Sequence, residues 1–276
     1  MTHSLRERQE IFESATDYSL SWRVPIIIRI TLKSHKRLID NLGLPYSVDF
    51  ADLMSQTMLY VITNIQDALF GYYHTDEITL VLRNDKEKDT IPWHNNNLQK
   101  MVSTVASLAT LGFYHSKELF ADTINLNGDA LFDVKIFTLP SIPEAVNHLI
   151  LHQSYCMGNA VTEAAAFELS EKFETSKVYS LIKEKSFEEK RKLLLNHCGI
   201  DFFEYYPVSF YHGSAVYKEP TVIKTKNNSV TRNKWYINDE LPNFVENKDF
   251  LFNILTNGCD VFRGNTIIKN LEEELI

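Results

Sequence analysis

Cysteine is scarce in this chain: three occur in 276 residues, at positions 156, 198 and 259, with no CxxC pair. That spacing excludes a disulfide framework, and reduced thiols in a cytoplasmic protein are the expectation. Long apolar runs are also missing. No stretch approaches the roughly 18–20 apolar residues that cross a bilayer. The opening MTHSLRERQEIFES lacks the apolar core of a signal peptide, so no membrane partner is expected. Positive charge is in deficit, with 28 Lys+Arg against 36 Asp+Glu and a net charge of −8. Phosphate contacts dominate non-specific nucleic-acid affinity, so any RNA partner must meet a local basic patch. What is present is ordinary globular material, 44% hydrophobic and 23% charged, enough for one large domain or two small ones. Disorder, collagen-like repeats and whole-chain coiled coil are excluded.

Residues 1–20 read as a short polar helix. The β-branched run from Val24 to Thr31 is too short for a helix and reads as a buried strand. Residues Leu32–Leu42 are short and basic. From Asp49, the helical spacing of Phe50, Leu53, Met54, Met58, Val61, Ile62 and Ile65 predicts a long amphipathic helix capped by Ser47 or Asp49. Ala68–Tyr73 and Ile78–Leu82 read as strands joined by the tight connection His74–Glu77, a β-hairpin. After the polar loop Arg83–Asn97, Leu98 to about His115 forms a second helix, and Phe132–Leu139 alternates as a fourth strand. Strand, helix, hairpin, helix, strand is the βαββαβ order of a ferredoxin-like sheet with its helices on one face. The fold class is therefore α+β.

The remainder reads as helices at Ile142–Leu151, roughly Ala160–Phe173, and Phe187–Asn196 behind the Ser186/Glu189 capping box. Short β-like pieces follow at Val208–Phe210, Ala215–Tyr217 and Thr221–Lys224, with a loop tip at Asn227-Asn228-Ser229. Lys234–Leu255 reads as strand and helix. The boundaries predicted are a palm-like catalytic domain at 1–140 and a helical and β region at 141–276 packed on it, the candidate RNA-contacting part.

Chemistry concentrates at Thr75-Asp76-Glu77, the hairpin tip facing the end of the first strand. Carboxylates there can hold Mg²⁺ against a nucleoside triphosphate, because that cation wants oxygen ligands. An acidic turn that only solvates a hairpin is the plain alternative. His74 reads as a proton shuttle or a satisfied hairpin side chain. Lys183, Lys185, Lys190, Arg191 and Lys192 interleave with glutamates, the pattern of a solvated helix face. Lys218, Arg232 and Lys234 beside Tyr217, Trp235 and Tyr236 could contact RNA by charge and stacking. Cys156 reads as a buried thiol.

The segments IIIRITLKSHKRL, HTDEITLVL, KMVSTVASLATLGF, FDVKIFTLPS and HQSYCMGNA resemble, in order and spacing, the tRNA(His) guanylyltransferase family of reverse (3′–5′) polymerases. The similarity runs over about residues 20–165 and continues weakly through KRKLLLNHCGIDFF and YHGSAVYK. The resemblance implies a polymerase-palm sheet, a two-ion Mg²⁺ site, GTP or ATP as substrate, a tRNA 5′ end as partner, and a homodimer or homotetramer. By it, Asp76 and Glu77 are the catalytic pair, and Asp76, Thr31 and Leu32 mark the metal site. Thr31, Leu32, Lys33, Ser34, His35, Lys36, Thr75 and Lys100 contact nucleotide, and His152, Gln153 and Asn159 face RNA.

The departures are specific. Thr31 stands where the family has its first metal-binding Asp, and Leu32 where it has Gly. Asn96 and Asn97 replace basic residues, Leu44 replaces a Lys before Pro45, and His152, Tyr155 and Gly158 replace Arg, Asp and Arg. Asp133 is a further carboxylate near the first strand's end. Two readings follow: a diverged Mg²⁺-dependent tRNA nucleotidyltransferase, or a repurposed relative that binds a nucleotide or RNA end without transferring it.

Overall fold

The computed structural model describes residues 4–42, 45–85, 90–224 and 229–257. Asn227, Asn228, Leu44 and Cys259 lie outside the described residues. The element order is α1 (Leu5–Ser14), β1 (Ile26–Leu32), α2 (His35–Ile39), α3 (Val48–Thr63), β2 (Ala68–His74), β3 (Glu77–Leu82), α4 (Leu98–Glu118), β4 (Phe132–Thr138), α5 (Ile142–Ser170), α6 (Thr175–Ile182), α7 (Phe187–Leu193), α8 (Phe202–Tyr205), α9 (Val208–His212), β5 (Ser214–Lys224), β6 (Ser229–Asn238) and α10 (Lys248–Asn257). One sheet runs β4-β1-β3-β2-β5-β6, and every neighbouring pair is antiparallel. Its first four strands form the ferredoxin-like palm, and β5–β6 extend it past β2.

Side-chain alternation assigns the two faces. Ile26, Ile28, Ile30 and Leu32 of β1 pack with Ile78, Leu80 and Leu82 of β3 beneath α3 and α4. Ile27, Phe70, Tyr72 and Val81 face the other way, against Ala145, Val146 and Leu149 of α5 and Leu251, Ile254 and Leu255 of α10. A strand buried on both faces reads as a continuous apolar run, which is why β1 stood out. The cap at α3 is Ser47, whose Oγ accepts the Phe50 N–H at 3.2 Å. The Ser186/Glu189 capping box opens α7 as the residues predict. Among the described residues no helix is long and apolar enough to cross a membrane.

Three readings of the second half change. The helices expected at Ile142–Leu151 and Ala160–Phe173 are one continuous helix of 29 residues. A mid-helix glycine, here Gly158, costs only about 1 kcal/mol, and the polar stretch around it is held by tertiary contacts described below. Val208–Phe210, read as β-like, is a helical turn behind Pro207, burying Phe210 and Tyr211. The two β pieces after it are one strand of 11 residues, entered through Gly213 at φ 76°.

Candidate nucleotide and metal site

The hairpin tip is a two-residue turn, Thr75-Asp76. Thr75 adopts φ 53°, and its carbonyl accepts the Tyr73 hydroxyl at 2.9 Å. The Asp76 carbonyl accepts the Leu32 N–H at 2.8 Å, clipping the tip to the end of β1. Thr31 pairs with Glu77 on one side and Asp133 on the other, and Glu77 pairs with His74. Asp133, Thr31, Glu77 and His74 therefore form one row across the sheet on the α5 face. The structure thus brings Thr31, Leu32, Thr75, Asp76 and Glu77 together.

Glu77 is buried, and its two oxygens have separate partners. Arg29 donates to Oε2 through Nε at 3.0 Å and through a second guanidinium nitrogen. His152 Nδ1 lies 2.8 Å from Oε1. Burial opposes ionisation, but hydrogen bonds from His152 and Arg29 outweigh it and bring the Glu77 carboxyl down to about 2. Asp76 is the contrasting acid. It is half-buried, and burial followed by the Glu77 charge raises its pKa. Asp133 sits in an exposed pair with Lys33 at 3.0 Å.

Two hollows share this tip as a wall. One, of about 580 Å³, is lined by His35, Tyr46, Phe50, Phe167 and Phe210, with Lys36, Thr75 and Glu163 among its polar residues. His35 packs on Phe50 at 5.4 Å between ring centroids. Burial, then the Lys36 charge, lowers its pKa to about 4, so the ring is neutral. Burial likewise raises the Glu163 carboxyl. The other hollow, of about 440 Å³, is lined by Arg29, His74, Asp76, Glu77, His148, His152, Tyr155 and Asn159. There His74 Nε2 lies 3.5 Å from His152 Nδ1, and the His148 ring lies against His152 at 4.3 Å between centroids, tilted by 48°. Burial pushes both His74 and His148 down to about 4. His74, Glu77 and His152 offer three donor atoms within 4.8 Å of one another.

Other expected site residues go elsewhere. Lys100 lies on the first turn of α4, which starts after β3 at the Ile26–Leu82 end of the sheet. That is the end opposite Asp76, so Lys100 as a nucleotide contact in the same hollow is corrected. Asn97 caps α4 by accepting the Lys100 N–H at 2.9 Å, and buried Asn96 donates to the Ser21 carbonyl at 3.1 Å. Gln153 is corrected too. Its amide nitrogen donates to the carbonyls of His212 and Pro242 at 3.3 and 3.1 Å, and its oxygen accepts the Phe244 N–H at 2.7 Å. It is a buried strut, not an RNA-facing group. His152, expected to face RNA, is buried on Glu77; Asn159 does line the second hollow. Lys33 and Lys36 are exposed, and Ser34 takes φ 56°. Sequence reading missed His148 and Arg29, and it missed the aromatic lining contributed by α5 and α9. His148, His152 and Tyr155 do share one helical stripe at i, i+4, i+7, a signal that was available.

An antiparallel 4-1-3-2 palm, with an acidic hairpin tip beside a hollow of small-molecule size, defines a palm-type nucleotide-handling fold. Residues 6–140 match the family model described as tRNAHis guanylyltransferase. These residues form a domain of the tRNA(His) guanylyltransferase family. Among solved structures it is similar to a bacterial tRNA(His) guanylyltransferase-like protein in complex with ATP, at TM-score 0.76 and 24% identity over 92% of this chain and 99% of that one. The same holds for such a protein in complex with GTP, at TM-score 0.68, 24% identity and the same shares of 92% and 99%. The tRNA(His) guanylyltransferase from Saccharomyces cerevisiae superposes at TM-score 0.65 with 16% identity, covering 80% of this chain and 94% of that one. At these identities the likenesses establish the fold. No curated protein matches the sequence.

Proposed function

We propose that the protein is a tRNA nucleotidyltransferase that seats ATP or GTP in the aromatic hollow and adds a nucleotide to a tRNA 5′ end in the 3′–5′ direction. The observation that carries this reading is the hollow of about 580 Å³ reaching Lys36 and Thr75 beside Asp76, the size class of small-ligand sites. The base lies among His35, Phe50 and Phe210. Lys36 and the 32–36 segment face the phosphates, and Asp76 stands where the charge of the reacting centre gathers. In the transfer, the nucleotide 3′-oxygen bonds to the activated 5′ phosphorus of the tRNA, the anhydride bond there breaks, and pyrophosphate or AMP leaves. Orientation of the two ends is the protein's main contribution to such a step. Asn159 and Tyr155 on α5 flank the approach of the RNA end, and a homodimer or homotetramer in the cytoplasm is the proposed state.

The Mg²⁺ pair that the family implies does not fit the residues present. Magnesium takes oxygen ligands, but Thr31 is neutral, Glu77 Oε2 is held by Arg29, and Glu77 Oε1 faces two imidazoles, nitrogen donors that suit a softer ion. Asp76 and the exposed Asp133, which is paired with Lys33, are the carboxylates left at that corner. This observation favours the second reading, nucleotide binding without transfer. The test is incubation with labelled GTP or ATP, Mg²⁺ and 5′-activated tRNA. Incorporation that Asp76→Ala abolishes supports transfer. Tight ATP binding without incorporation selects the second reading, and recovery of incorporation in Thr31→Asp identifies the missing ligand. Failure to bind either nucleotide removes both.

A further inference from the structure

The geometry points to a single-ion site for a borderline transition metal of the Zn²⁺ class, formed by His74, Glu77 and His152. It lies one strand position from the family's carboxylate corner and uses a different donor set. The three donor atoms come from β2, β3 and the middle of α5. His152 Nδ1 and Glu77 Oε1 are 2.8 Å apart, His74 Nε2 and His152 Nδ1 3.5 Å, and His74 Nε2 and Glu77 Oε1 4.0 Å. Donors at about 2.0–2.2 Å from one tetrahedral ion stand roughly 3.3–3.5 Å apart, so the triangle needs only small side-chain adjustment. Two imidazoles and one carboxylate suit Zn²⁺, Co²⁺ or Fe²⁺ and not Mg²⁺.

A second observation is independent of the spacing. His74 is 7% exposed, its Nδ1 has no hydrogen-bond partner, and its Nε2 reaches only the 3.5 Å contact with His152. Nε2, the nitrogen that faces the cluster, therefore has no strong partner, and a metal there supplies one, while Nδ1 stays unpaired either way. Arg29 holds Oε2 of Glu77, which leaves Oε1 turned toward the two rings, as an outer-shell partner orients a ligating carboxylate. Among the described residues this is the one such group of three donors. Its open side faces the hollow of about 440 Å³ that also holds Asp76, Tyr155 and Asn159. A ligand oxygen, such as that of a phosphate, would complete the coordination there. The ion would return to this end of the sheet the positive charge that Thr31 can no longer anchor. The site stands whether or not the protein transfers nucleotides.

Full-length protein stripped with chelator and then titrated with Co²⁺ should show visible d–d absorption of a four- or five-coordinate ion, and Zn²⁺ calorimetry one ion per chain. His74→Gln and His152→Gln should each weaken binding on the order of tenfold or more. Asp76→Asn should stay within about twofold, and excess Mg²⁺ should not displace Co²⁺. Crystals of the unaltered chain soaked in Zn²⁺ should place an anomalous peak between the three donors, whatever the variants do to folding. No Co²⁺ binding at millimolar concentration, binding that both variants leave unchanged, or a peak elsewhere would overturn the site. ATP affinity measured without added metal reports the other hollow, so either result can fail alone.

Discussion

The two hollows beside the hairpin tip share His74 as a wall yet rest on opposite chemistry. The larger has an aromatic wall of Tyr46, Phe50, Phe167 and Phe210, with polar groups set between the rings. The smaller is built from Arg29, Glu77 and three histidines whose charges and hydrogen bonds interlock. An apolar wall tolerates substitution so long as volume and shape are kept. A buried ionic network does not, because removing one member leaves another charged and unpaired. The chain thus carries one adaptable hollow and one intolerant cleft, with the same two strands supporting both.

The strongest test strikes the shared wall. Gly213 sits at φ 76°, and an added Cβ would meet the Tyr73 carbonyl and the Tyr72 ring, the latter at 2.8 Å. Gly213→Ala should cost about 3–4 kcal/mol by denaturant unfolding and weaken nucleotide and metal binding together. Loss of only one would show the hollows to be less coupled than their shared wall suggests. Next is the cleft alone. Arg29→Met leaves Glu77 with His152 as its main partner and should cost about 3 kcal/mol, while ATP affinity stays within about twofold.

The same variant has a pH signature. Because the folded Glu77 carboxyl sits at about 2 instead of 4.5, its contribution is complete above pH 4.5 and is lost as pH falls from there toward 2. Arg29→Met should flatten acid unfolding across that window, read by circular dichroism. A smaller effect belongs to the aromatic hollow. His35 stays neutral down to about 4 in the fold but titrates near 6.5 when unfolded. The unfolded state therefore binds more protons between those values, and stability falls as pH drops through them. His35→Phe should remove about 2 kcal/mol of that loss between pH 7 and pH 5, measured by urea unfolding at both. Smallest is Ala166→Phe, which intrudes on the aromatic hollow. It should weaken ATP binding about tenfold, about 1.4 kcal/mol, with Co²⁺ binding and stability nearly unchanged.

Much of the palm was legible because its signals are short-range. Alternation marked β4, the apolar run marked β1, the tight connection after Tyr73 marked the hairpin, and Ser47 and Ser186 marked helix starts. Resemblance then located Asp76 and Thr31 at neighbouring strand ends, where they are found. The site residues that went astray did so for geometric reasons. Lys100 was placed by motif order, but a helix of 21 residues spans the sheet, and its first turn lies at the far end from the tip. Gln153 kept a family identity, yet its amide is used up joining α5 to the segments around His212 and Phe244. The polar stretch His152–Asn159 looked like a gap between helices because its partners were not visible from neighbouring residues.

Local order, the identity of the palm and a neutral Thr31 at the end of β1, where the resemblance implies a carboxylate, could all be read along the chain, since each depends on residues a few positions apart or on a motif in register. The pairing of His152 with Glu77, the company of His74 and His148, and the aromatic hollow between α2, α5 and α9 could not. Those depend on where a continuous α5 crosses the sheet, and burial of its apolar stripe against the strands, not any local propensity, sets that crossing.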